Sequence, residues 1–256
     1  MNNLANKAST GLTRLQSCYS SLCTSGTNRT RNPSGERQIY QSIKMELYLK
    51  AGPQGSSEVG DCPFAHYVRC VLQFKGLDYK VIPCTPETKP SWLLNDLNGK
   101  MPCIRMDDMK LAESGEIAKY LETTYKEPTL STSNLDEAMA LQGSMFPAMA
   151  KFVKSTEFDQ EKENHLISEL RKLDSHFASN KYLSGDKLSL ADYSLAPKLY
   201  HLDIAVHHFY PDTRKKIKDQ FQHLENYMTQ MFEDSAFDAT KYPHDVVIWG
   251  WTNARK

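Results

Sequence analysis

Strand-like alternation is confined to one part of this chain, and that confinement restricts its fold more than any other feature. Between Met45 and Leu111 short apolar runs alternate with turns, whereas beyond Pro128 only helical periodicity remains. Met45–Lys50 (MELYLK) reads as a first strand, Tyr79–Cys84 (YKVIPC) as a second and Cys103–Met106 as a third. Asp107-Asp108 then turns the chain into Lys110-Leu111. Between the first two strands lies a helix on which Phe64, Val68, Val71 and Leu72 share one face, with Pro63 in its first turn and Gly76 as its stop. Ala51–Gly60, with three glycines and two serines, reads as a loop. Short helices are expected over Pro90–Leu97 and from Ser114, read as a cap, to about Tyr125. The order is β-α-β followed by β-β-α.

Helices are expected over Asn134–Thr156, Asp159–Ser179, Ser189–Phe209 and Pro211–Asp234, with Pro147 kinking the first and Pro197 inside the third. Ser189-Leu190-Ala191-Asp192 matches a capping box. The division is an α/β domain over residues 45–126, a linker near Glu127–Ser133, and an all-helical domain over 134–256. Residues 1–44 stand apart: no acidic residue occurs between Met1 and Gly35, while Lys7, Arg14, Arg29 and Arg31 are basic and Ser, Thr and Asn abound. That composition fits a transit peptide, the alternative being a disordered tail. A chloroplast or mitochondrion is the address expected from the first reading, the cytoplasm from the second.

Composition excludes several partners. The 31 basic and 31 acidic residues cancel, so nothing in the net charge favours nucleic acid or an anionic membrane surface. No apolar stretch approaches the ~18 residues that span a bilayer. Six cysteines, at 18, 23, 62, 70, 84 and 103, form neither a CxxC pair nor a cluster with histidine at zinc spacing, so no metal site is expected.

One of those cysteines is placed for chemistry. In Gly60-Asp61-Cys62-Pro63-Phe64-Ala65, Cys62 precedes the helix, where outward-pointing N–H groups and the positive end of the dipole favour a thiolate. A lowered thiol pKa is therefore expected, opposed by the neighbouring Asp61 carboxylate. Cys70, Cys84 and Cys103 lie inside apolar segments and read as structural. Ala65 stands where a resolving cysteine would be one turn away. Cys70 is eight residues on, about 12 Å along the helix axis, too far to attack a sulfur at Cys62. An oxidised Cys62 must be resolved from outside, and a small soluble thiol such as glutathione is the natural candidate.

Four segments carry a resemblance. GDCPF, Lys89-Pro90-Ser91-Trp92, Gly99-Lys100-Met101-Pro102 and the block from Ser194 to Leu202 (SLAPKLYHL) resemble the glutathione-dependent dehydroascorbate reductases of plants and algae, over about Met45 to Trp251. GDCPF-like segments also occur in omega-class transferases and chloride intracellular channel proteins; the SLAPKLYHL block and Gly250-Trp251 tip the choice. The resemblance implies an α/β + all-α fold: an N-terminal thioredoxin-like domain (βαβ-ββα), then a C-terminal helical glutathione transferase domain. It implies Cys62 as the catalytic residue. Lys50 and Asp61 are expected to handle dehydroascorbate, with Lys50 drawing charge from an attacked carbonyl or the thiolate. Glutathione is expected on the main chain of Met101 ahead of a cis Pro102, with its γ-glutamyl group at Ser114 and Glu113 and its glycyl carboxylate at Lys89 and Lys100.

The function implied is glutathione-dependent reduction of dehydroascorbate to ascorbate by ping-pong kinetics, through a sulfenic acid and a mixed disulfide at Cys62. Glutathione serves as co-substrate, no cofactor is required, and a monomer without stable membrane association is expected. An omega-like transferase or deglutathionylase is the rival within enzymes. A chloride-channel-like protein is the rival outside them, although Arg69, Lys75 and His66 make membrane insertion of the first helix costly.

Overall fold

The structure is a computed structural model that describes residues 45–256; the expectations for the tail at 1–44, and for Cys18 and Cys23 within it, lie outside the described residues. Strand β1 (Met45–Gly52) is central. Its Leu47 and Leu49 are fully buried. β1 pairs in parallel with β3 (Lys80–Cys84) and antiparallel with β4 (Cys103–Met106), and β4 pairs with β5 (Met109–Ala112). β3 is an outer strand, which is where Pro83 is tolerated. The expected loop at Ala51–Gly60 is instead a hairpin: β1 runs on to Gly52, and β2 (Gly55–Val59) folds back on its end. Its side chains are mostly polar and none is buried, so no apolar alternation announced it.

Helix α1 (Pro63–Phe74) follows β2 and α2 (Ser91–Leu97) follows β3. The single apolar face expected of α1 is too narrow, because the helix packs against other helices as well as the sheet. Ala65, His66, Tyr67, Val68, Cys70, Val71 and Leu72 are all buried, while Phe64 is 41% exposed. α3 (Ser114–Thr124) begins after Glu113, the true N-cap at φ 71°, so Ser114 is its first residue rather than its cap.

The helical half starts with α4 (Leu135–Gln142) and α5 (Met145–Val153), two helices where one kinked helix was expected. Pro147 lacks the N–H that would have bonded the Gly143 carbonyl, and a proline fits the first turn of a new helix better than the middle of an old one. α6 spans Gln160–Phe177. α7 (Leu190–Phe209) is buried along nearly its whole length despite Pro197, and the Asp192 carboxylate reaches back to the Ser189 amide at 2.9 Å. The expected helix over 211–234 divides at Phe221 into α8 (Pro211–Gln220) and α9 (Gln222–Phe232). Two further helices, α10 (Ser235–Asp238) and α11 (His244–Ala254), had no counterpart in the sequence reading.

α1 packs against α7, α3 and α10, so Val68, Val71 and Leu72 share one apolar core with Tyr193, Leu195 and Leu199. Burying each such side chain contributes about 1.5–3 kcal/mol. Trp92 lies outside this core: it packs edge-on to Tyr48 on the far face of the sheet, in a separate small cluster. A buried ion pair ties the segment after α3 to the end of α1. Lys75 Nζ, fully buried, lies 2.7 Å from Glu122 Oε2 and donates to the Tyr125 and Pro128 carbonyls. Glu122 Oε1 accepts from the Thr129 hydroxyl and the Leu130 and Ser131 amides. Lys75 thus serves the fold, not the face of α1.

Candidate active site

The strand register collects the expected site residues at one end of the sheet. Lys50 stands opposite Cys84, Tyr48 opposite Cys103, and Cys103 opposite Ala112. Met101-Pro102 just before β4, and Glu113-Ser114 just after β5, therefore emerge at the same end as Lys50. The Met101–Pro102 bond is cis, as expected; so is Glu127–Pro128, which was not anticipated.

Gly60 brings Cys62 to this end. Its amide donates to the Lys50 carbonyl at 2.7 Å, and a Cβ there would stand 2.6 Å from the Ala51 carbonyl oxygen and 2.7 Å from that of Lys50. Only glycine lets the chain return so tightly over β1. The next residue, Asp61, then meets Lys50, with Nζ 2.7 Å from Oδ1. The lysine side chain is 47% exposed and the aspartate 12%, so the pair opens to solvent on the lysine side.

Cys62 is the N-cap of α1, half-buried and extended, without a cap hydrogen bond from its side chain. Its carbonyl accepts from the His66 amide and from the Tyr242 hydroxyl, the latter at 3.1 Å. Burial pushes the thiol up from its ordinary pKa. The Phe64 and Ala65 amides pull it down, Asp61 adds to the rise and Lys50 opposes it. The expected lowering is therefore reversed: the helix terminus acts in the anticipated direction, but desolvation of the thiolate is the stronger effect. Cys70, Cys84 and Cys103 are free and buried, and burial raises all three thiols.

A second layer comes from the helical half. His201 on α7 accepts from the Trp251 indole at 3.0 Å and faces the Asp61 backbone; burial lowers its pKa to about 4, against a smaller opposing pull from Asp61. Phe64 packs edge-on to Phe146, and Phe146 in turn meets Trp251, an aromatic line from the first turn of α1 to α11. Lys198 is held by Gln142 and Ser194 behind Phe64, its pKa lowered to about 8 by burial. Tyr242, Trp249 and the role of His201 escaped the sequence reading, and Gly250-Trp251 entered it only as a family mark. All belong to segments whose apposition to Cys62 exists only in three dimensions.

The remaining expected residues are present with partners of their own. Lys89 Nζ donates to the Gly99 carbonyl at 2.9 Å, and Lys100 pairs with Glu113 at 2.8 Å, both about 60% exposed. No side-chain contact joins them to Cys62. Among the described residues, no group of three or more His, Cys, Asp or Glu side chains is placed to hold a metal ion, and no helix is long and apolar enough to cross a membrane.

The site thus lies on a thioredoxin-like sheet whose first helix begins at Cys62 and packs on a helical half. Residues 57–129 match the glutathione S-transferase N-terminal domain and residues 160–230 the C-terminal domain. The chain belongs to the glutathione S-transferase family. Within it, the chain is 31% identical over 212 residues to "Glutathione S-transferase DHAR2" of Arabidopsis thaliana, covering 82% of this chain and 97% of that protein. It is 32% identical to "Probable glutathione S-transferase DHAR2, chloroplastic" of Oryza sativa subsp. japonica, over 81% of this chain and 75% of that one. The crystal structure of Chlamydomonas reinhardtii dehydroascorbate reductase superposes with a TM-score of 0.71 at 27% identity, covering 84% of this chain and all of that one.

Proposed function

We propose that this chain reduces dehydroascorbate to ascorbate with glutathione, through Cys62 as its single working thiol. The observation that carries this is the Lys50–Asp61 ion pair at 2.7 Å, joined through one peptide bond to a half-buried N-cap cysteine. The names of the relatives support the substrate.

In the first half-reaction the Cys62 thiolate gives two electrons to dehydroascorbate, while water supplies the hydroxyl that bonds to sulfur and the proton that the reduced substrate takes up. Dehydroascorbate becomes the ascorbate anion and Cys62 becomes a sulfenic acid. Lys50 offsets charge that develops on the substrate oxygens, and Asp61 holds Lys50 and a substrate hydroxyl. In the second half-reaction one glutathione condenses with the sulfenic acid, releasing water and leaving a mixed disulfide. The thiolate of a second glutathione attacks the first glutathione's sulfur, so that oxidised glutathione leaves and the Cys62 thiolate returns. Met101 ahead of Pro102 takes the glutathione backbone, Glu113 and Ser114 its γ-glutamyl end, and Lys89 and Lys100 its glycyl carboxylate. Each lysine and Glu113 must exchange its present partner for the ligand.

Because burial favours the protonated thiol, turnover rises with pH through the ordinary thiol range. Residues 1–44 act as an organellar address, a role the chloroplastic relative supports; fusing them to a reporter tests it. Glutathione-coupled reduction of dehydroascorbate by wild type and Cys62→Ser tests the main reading, with a protein–glutathione mixed disulfide assayed in parallel. Cys62→Ser is expected to fall below about a hundredth of wild type, since a serine hydroxyl cannot shuttle electrons. Turnover of the mixed disulfide but not of dehydroascorbate would overturn the substrate and favour a deglutathionylase.

A further inference from the structure

We infer that α11 holds the Lys50–Asp61 pair in its working geometry, with Gly250 and Trp249 as positioning residues on its two members. This rests on the proposed reaction for its kinetic consequence, though not for its geometry.

Gly250 is buried against the Asp61 carboxylate. A methyl group built on it would lie 1.7 Å from Asp61 Oδ2, 2.2 Å from Cγ and 2.8 Å from Oδ1, overlapping the whole carboxylate. This glycine needs no unusual backbone angle, lying inside α11. The constraint is space alone, and the group that fills the space is the one paired with Lys50. One residue earlier, the half-buried Trp249 indole faces the other member, its ring centroid 5.0 Å from Lys50 Nζ. An ammonium over an indole face is held by the ring quadrupole. Trp251, the next residue, is fixed by His201, whose ring faces the Asp61 backbone. Three consecutive residues of one helix thus brace the carboxylate, the ammonium and the main chain beside Cys62. α11 itself is anchored away from the site: Arg255 at its end binds the Val153 and Thr156 carbonyls.

Gly250→Ala must turn the Asp61 carboxylate away from Lys50. A misplacement of this size near reacting atoms is expected to lower kcat/KM for dehydroascorbate tenfold or more. The KM for glutathione is expected to stay within twofold, because Lys89, Lys100 and Glu113 are held by partners outside α11. In an Asp61→Ala background the added methyl meets no carboxylate, so the same change is expected to have less than a twofold effect. Trp249→Ala frees Lys50, which holds the thiol down. Alkylation of Cys62 by iodoacetamide at pH 7 is then expected to slow about twofold or more, with Trp249→Phe restoring it and with no change in a Lys50→Met background. Alkylation needs no substrate, so a wild type that fails to reduce dehydroascorbate would refute the proposed reaction while the alkylation cycle still decides the positioning roles. Equal losses from Gly250→Ala with and without Asp61, or equal alkylation in Trp249→Ala and wild type, would overturn the inference.

Discussion

Replacing Lys75 by Met probes the device that fixes the segment after α3 to α1. The side chain is fully buried, and Glu122 beside it is 7% exposed, so the substitution leaves a desolvated carboxylate without its cation. Breaking a buried pair from one side costs about 3–5 kcal/mol. For a folded unit of this size, each kcal/mol moves the melting temperature by about 2–4 °C, so a fall of about 6–20 °C is expected at pH 7. Burial pushes the Glu122 carboxyl up, but Lys75 and the donors from Thr129 and Leu130 outweigh it and hold the group below its ordinary value. In wild type its contribution is therefore present above the ordinary carboxylate range and is lost as pH falls through the folded value. In Lys75→Met the carboxylate loses its largest support, so protonation relieves the defect and the loss shrinks at pH 4. Lys75→Met combined with Glu122→Gln keeps an acceptor for Thr129, Leu130 and Ser131 without the stranded charge, and is expected to recover most of the stability. Thermal unfolding followed by far-ultraviolet circular dichroism at both pH values gives the comparison. A fall below about 2 °C at pH 7, or an equal fall at pH 4, would refute the reasoning.

His66 offers a second test in acid. It is fully buried between the rings of Phe237 and Tyr242, and burial, reinforced by Arg69 and His201, holds its pKa well below the usual value. The neutral form belongs to the folded state, so stability is full above about pH 6.5 and falls below it by up to about 1.4 kcal/mol per pH unit. His66→Phe is expected to flatten that fall in denaturant titrations between pH 6.5 and 4.5; an unchanged slope would remove His66 from the acid response. Lys50→Met is expected to slow dehydroascorbate reduction while glutathione affinity stays near normal. Equal loss of both would assign Lys50 to the glutathione site. Replacing Cys70, Cys84 or Cys103 by Ala is expected to lower the melting temperature and leave turnover per folded molecule unchanged; lost turnover in a folded variant would give that thiol a working role.

What the sequence disclosed was local. Cys62 before Pro63 and the Ser189–Asp192 cap each follow from a few adjacent residues, the cis bond of Met101-Pro102 follows from the motif's family resemblance, and the structure places all three as expected. The hairpin at β2 was hidden because its stability comes from backbone pairing with β1 rather than from an apolar face. The break at Phe221 was hidden for a similar reason: Asp174, from α6, accepts the Leu224 amide at 3.0 Å and caps α9 from fifty residues away. The thiol at Cys62 misled in sign, since the helix terminus is written in the sequence and the burial that opposes it is not. The same limit hid α11: Gly250 served in the sequence only as a family mark, and its contact with the Asp61 carboxylate exists only in three dimensions.

The claim most in need of measurement is that Cys62 works alone and is resolved by external glutathione. Among the described residues Cys70 is fully buried along α1 and bonded to Thr240, and Cys84 and Cys103 are buried on the sheet. Full-length enzyme oxidised with dehydroascorbate, then given one equivalent of glutathione and quenched in acid, should yield by peptide mass spectrometry one glutathione on Cys62 and none elsewhere. Cys18→Ser and Cys23→Ser should leave that adduct and the turnover unchanged. A disulfide from Cys62 to any other cysteine of the chain, formed at the rate of turnover, would contradict the single-thiol mechanism.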